Sequence, residues 1–117
     1  MHCSSVLAAV FLLIASNTCE AAVSVGRYLG EALAHVTPED KELMKNARTK
    51  LLEQNIVGQR ISWSNPKSGH SGEVSLIRTF KRDGLSCGQL GYITKAEQSR
   101  SFSFSFCLTA EGWKLAA

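Results

Sequence analysis

His70 sits in a run rich in turn formers, Asn65-Pro66-Lys67-Ser68-Gly69-His70-Ser71-Gly72. An imidazole among hydroxyls is raw material for nucleophilic catalysis. That chemistry also needs the base within hydrogen-bond reach of the nucleophile and a third group to orient it. Adjacency in sequence establishes neither, so the plainer reading is a polar loop. His35 falls on a segment of helical periodicity, where a surface or helix-end histidine is the simplest expectation. Gly69 and Gly72 do not form a phosphate loop, because no Gly-Lys-Ser/Thr follows and the chain runs on into a strand. No pair of carboxylates stands out. Asp83 reads as a turn residue and Glu111 precedes a turn. Trp63 and Trp113 suit ligand stacking, but large rings near the strand ends of a small sheet serve first to cover core. The residues therefore predict no catalytic group, no cofactor and no metal, and the chain is expected not to be an enzyme.

The four cysteines divide into two pairs. Cys3 and Cys19 flank an unbroken apolar run, residues 6–15, Val-Leu-Ala-Ala-Val-Phe-Leu-Leu-Ile-Ala. The run is too short to span a bilayer, which takes ~20 residues, and it suits the core of a secretory leader. Cys19-Glu20-Ala21 supplies a small-x-small cleavage site, so residues 1–21 read as a signal peptide. Lipidation at Cys19 is not favoured: Ser16, Asn17 and Thr18 precede it, where a lipoprotein places leucine three residues before and a small residue just before. Cleavage removes two cysteines and leaves Cys87 and Cys107, an even pair in an exported chain, for which a disulfide is the first expectation. A zinc site needs three or four ligands and has only His35 and His70 to recruit. A redox pair more often has the Cys-x-x-Cys spacing.

The expected mature chain keeps all 13 basic residues and loses one of the 10 acids, giving a net charge of +4. The charges are scattered, and the longest basic run is Lys81-Arg82. Nucleic-acid binding would call for a clustered stripe, so it is not expected.

The elements that position these residues follow from periodicity. Tyr28, Leu29, Ala32, Leu33 and Val36 predict a short helix over 25–36, with Gly26, Gly30 and Ala34 as a ridge of small residues. Thr37-Pro38-Glu39-Asp40 starts a second helix, expected over about 38–56 and ended by Gly58. Leu43, Met44, Ala47, Leu51, Leu52 and Ile56 form its apolar stripe. From Arg60 the period is two. Strands are expected at 60–64, 73–80, 85–95 and 100–109, with a short last one around Trp113-Lys114-Leu115. Ile77 breaks the alternation of the second strand, and Gly88 or Gly91 is a candidate interruption of the third. Asp83-Gly84 marks a hairpin turn. Phe102, Phe104, Phe106 and Leu108 share the face where the helix should dock. The expectation is an α+β domain, one or two N-terminal helices packed on a curled antiparallel sheet of about four or five strands with one disulfide. It spans 38–117, after a short helix or linker over 22–37.

The ordered set Gly58, Trp63, Asn65-Pro66, Ser68-Gly69, Gly72, Val74, Cys87, Cys107 and Gly112-Trp113 resembles the C-terminal domain of the rickettsial 17-kDa surface antigen family. The preceding Ala47 and Leu52-Glu53 fit as well, so the resemblance spans about 38–115. It implies a bacterial exported protein of the periplasm, the outer membrane or the cell surface. It implies a structural or binding role toward an envelope protein or outer-membrane component, and no catalytic residues. Trp63, Asn65, Pro66, Gly69, Gly72, Gly112 and Trp113 would be its structural motif. Members often carry a lipidated cysteine and a glycine zipper before this domain, and here Gly26, Gly30 and Ala34 are at most a remnant. The family's cysteines are often followed by Arg, and here Gly88 and Leu108 stand there. A second expectation, from another class, is an exported inhibitor of a protease or lysozyme that inserts the Asn65–Gly72 loop.

Overall fold

The computed structural model describes residues 32–116. The expected leader, Cys3, Cys19 and most of the 25–36 segment lie outside them. Of that segment, residues 32 and 33 are helical, and the chain turns over 34–36. The remaining elements, all within His35–Ala116, are a helix α1 (Pro38–Gln54) and strands β1 (Arg60–Asn65), β2 (His70–Arg82), β3 (Leu85–Lys95), β4 (Ser99–Thr109) and β5 (Gly112–Leu115).

Helix α1 starts where its sequence directs. The Thr37 side chain accepts a hydrogen bond from the Asp40 N–H, and the Asp40 carboxylate accepts one from the Thr37 N–H. This reciprocal box satisfies two donors that a helix start leaves unpaired, and Pro38 fills a position that needs none. The helix ends earlier than expected. Asn55, not Gly58, takes the left-handed conformation, at φ 59°, and its N–H bonds Leu51 O at 2.9 Å. Asparagine is among the few side chains that tolerate this geometry. Gly58 lies in the connection, at φ 93°, and its N–H bonds Leu76 O at 2.8 Å, which ties the loop to the sheet. Ile56 thus falls beyond the helix and is 56% exposed, not part of the stripe. Met44, Ala47, Leu51 and Leu52 form the buried face.

The five strands make a curled, half-barrel meander in the order β1-β2-β3-β4-β5, with every neighbouring pair antiparallel. β1 and β2 join by a four-residue turn, because His70 already pairs with Asn65. Half of the Asn65–Gly72 run is therefore strand, and the loop is only Pro66, Lys67, Ser68 and Gly69. β2 and β3 join through Asp83 and Gly84, both at positive φ (52° and 79°). Such two-residue turns match the twist of a hairpin. The break of pattern at Ile77 is a β-bulge between Leu76 and Arg78, which leaves Ile77 unpaired and 45% exposed over Gly91. β3 runs without interruption through Gly88 and Gly91.

One face of the sheet carries Ile61, Trp63, Val74, Leu76, Leu90, Tyr92, Phe102 and Phe106, and α1 lies on it. A Cβ at Gly88 would come within 2.6 Å of the Leu52 side chain, so the glycine lets the helix sit close. The Arg48 guanidinium covers the Phe106 ring at 4.3 Å, which places the helix on the phenylalanine face. Tyr92 stacks on Phe102 at 5.1 Å across β3 and β4. On the opposite face, Cys87 and Cys107 are direct cross-strand partners and form a disulfide.

Candidate functional site

Two regions stand out, one at each end of α1. The first is built on Asp40. Its box with Thr37 holds the carboxylate at the base of the helix, and the side chain is fully buried. Asn65 Nδ2 and the Ser68 hydroxyl each donate to one carboxylate oxygen at 2.8 Å. His70 Nδ1 lies 2.6 Å from the other. Asn65 also accepts from the Lys67 N–H at 3.1 Å, and the Gly69 N–H bonds Asn65 O at 2.8 Å, closing the turn. Gly69 takes φ 78° there. The four-residue turn and the helix start are thus cross-linked through one carboxylate. Burial alone would raise the Asp40 pKa. The bonds from Thr37, His70, Asn65 and Ser68 outweigh it and hold the carboxyl well below its ordinary 3.8.

Asp40 therefore acts on His70 as an orienting carboxylate does. Its carboxylate accepts the hydrogen bond of the Nδ1–H, which leaves Nε2 as the other ring nitrogen. The arrangement is a carboxylate–imidazole dyad, which sequence neighbours alone did not reveal. The hydroxyl of Ser68 is directed to Asp40 and not to the imidazole, so it is not placed as a nucleophile. His35 lies close by, with Nε2 2.6 Å from Thr94 Oγ1. Burial, Arg100 and His70 all depress its pKa below 6.5, and Asp40 offsets them in part. A hollow of about 250 Å³ lies here, lined by His35, His70, Ala96, Glu97, Gln98 and Arg100. Among the described residues no group of three or more histidine, cysteine or acidic side chains is placed to hold a metal ion.

The second region is at the other end of α1. Among the described residues, the helix covers the β1–β2 side of the curled sheet and leaves the β5 side uncovered. A groove of about 760 Å³ runs between Leu52 and Asn55 of the helix, Thr79 and Gly88 of the sheet, and Leu108 and Trp113. Leu108, on the phenylalanine face, is 43% exposed as a result. Gly112, at φ 110°, turns the chain so that Trp113 pairs with Leu108.

The motif residues from the sequence divide between these regions and the core. Asn65 and Gly69 shape the Asp40 turn, Pro66 is exposed within it, Trp113 lines the groove, and Gly112 sits in the turn just before it. Trp63 is buried on β1 and faces Gly72 across the sheet. A side chain at Gly72 would meet Trp63 Nε1 at 2.8 Å and overlap Ile93 O, so only glycine fits. The pair is core, not a ligand-stacking surface. Comparison of the chain with protein-family models, curated proteins and solved structures gives no match.

Proposed function

We propose that the chain is a non-enzymatic binding domain of a bacterial cell envelope, of the surface-antigen type, exported and oxidised at Cys87 and Cys107. The observation that carries the binding role is the side of the half-barrel that α1 leaves uncovered, where Leu108 and Trp113 line a groove that the helix borders only at its C-terminal end, at Leu52, Glu53 and Asn55. The disulfide in a 117-residue chain supports an oxidising compartment.

The partner that fits is an extended apolar segment of an envelope protein, added as a strand to β5. Among the described residues β5 pairs with β4 alone, which leaves its far edge unpaired there. The Ala116 N–H bonds Ser105 O at 2.8 Å. Antiparallel pairs alternate, so Lys114 repeats that inward pattern, and Trp113 and Leu115 direct their backbone groups to the edge. An added strand would bond there and lay alternate side chains into the groove.

A photo-crosslinking residue at position 108, in cells, tests this. Adducts with an envelope protein should form from position 108 and be lost in Trp113→Ala. Position 101, exposed on the opposite face, should give none. Equal yields from both positions would overturn the groove as the contact. The inhibitor reading has no comparable observation in its favour. The loop expected to insert is a four-residue turn, and Asn65, Ser68 and His70 point inward onto Asp40.

A further inference from the structure

We propose that the hollow between His70, His35 and Arg100 is a binding site for a small oxyanion of the carboxylate or phosphate class. It lies at the opposite end of α1 from the groove and is independent of it.

Asn65 faces His70 across β1 and β2, Gly72 faces Thr94 across β2 and β3, and Thr94 faces Arg100 across β3 and β4. These positions share the concave face, at the rim nearest the start of α1. His35, just before that helix, joins them through Thr94. The fold therefore gathers two imidazoles and a guanidinium from three separate segments around one hollow of about 250 Å³.

The donors are pre-set. Asp40 is buried and held by Thr37, Asn65 and Ser68, so it anchors the Nδ1 side of the His70 ring. The Nδ1 side is occupied, and Nε2 is the nitrogen left for the hollow. In the imidazolium form Nε2–H donates, and the Asp40 carboxylate beneath it balances the added charge. Arg100, which also lines the hollow, supplies a permanent fork of donors. An oxyanion between them would receive charge-assisted bonds from both and would offset the positive charge that Arg100 places near His35. The groups around His70 are Asp40 from α1, Asn65 and Ser68 from the first turn, His35, and Glu97 and Arg100 from the β3–β4 turn and β4. Glu97 is exposed on the rim and opposes an anion. That opposition gives the proposal a sign test.

The test is NMR of the full chain labelled at the histidine rings. Inorganic phosphate, and separately acetate, is titrated against chloride at matched ionic strength. Saturable shifts of the His70 and His35 ring signals with either anion are expected. Arg100→Gln should weaken binding about tenfold or more, the worth of one hydrogen bond to a charged group. Glu97→Gln should tighten it. Both sites are exposed, so an unchanged backbone amide spectrum should accompany each variant. The proposal is overturned if neither anion shifts the rings beyond chloride. It is overturned equally if Arg100→Gln binds as the parent does, or if Glu97→Gln weakens binding.

Discussion

Asp40 carries more of the molecule than its place in a helix start suggests. Its acidic character suits the positive end of the helix, and that much was legible. What was not legible is that Asn65, Ser68 and His70, separated from it by 25–30 residues, converge on its two oxygens. The one local signal was the Thr37-x-x-Asp40 spacing of a capping box, which fixes the carboxylate's direction. Removing the side chain strands several donors in a buried place. Asp40→Ala should lower stability by about 3 kcal/mol or more, read from chemical denaturation. The pH dependence has a definite sign. Because the folded carboxyl ionises below its ordinary 3.8, its stabilisation is complete above that value. It is lost as the pH falls further through the folded value. Asp40→Asn should abolish this acid-dependent loss while leaving the rest of the curve. His35 acts in a separate window. Its folded pKa is depressed, so the neutral ring is favoured, and its contribution is present above pH 6.5 and lost as the pH falls below it. A His35→Gln chain compared with the parent across that window should show the difference shrinking toward low pH.

At the scale of elements, the period-two pattern located all five strands, because alternation survives wherever one face is buried. Its irregularities had local causes that a pattern cannot name. Ile77 is out of step because the chain bulges there, and Gly88 and Gly91 are glycines for close contact, not for a break. The helix end was misplaced for a similar reason: Asn55 supplied the left-handed residue before Gly58 was reached. Asn55→Ala should therefore cost about 1 kcal/mol, and Asn55→Gly should be close to neutral, by thermal unfolding. Gly72 is a sharper case. Its neighbours are the Ile93 carbonyl and the Trp63 ring, neither of which can withdraw cheaply. Gly72→Ala should cost about 1–3 kcal/mol, with a change in tryptophan fluorescence as Trp63 shifts. The β3–β4 pair adds a covalent staple. Closing a loop between cysteines 20 residues apart confers about 3 kcal/mol in the chain-entropy account, so Cys87→Ser should lower the denaturation midpoint accordingly.

For the whole molecule, the α+β half-barrel with one disulfide follows from the sequence because each level agrees: the cap, the stripe, the alternation and the turn chemistry. The two candidate sites were legible only in part. Their residues were visible as types, Trp113 and His70 above all, but their surroundings arise from curvature and register, which composition does not encode. α1 lies toward β1 and β2, and this single offset opens the groove beside Trp113. The measurement that bears most directly on the account of an exported, disulfide-pinned binding domain is the intact mass of the native protein from its own envelope fraction, before and after reduction. The account predicts the mass of residues 22–117, increased on reduction by the two hydrogen atoms of one disulfide. A full-length chain of 117 residues recovered from the cytoplasm, with a mass that reduction leaves unchanged, would contradict it.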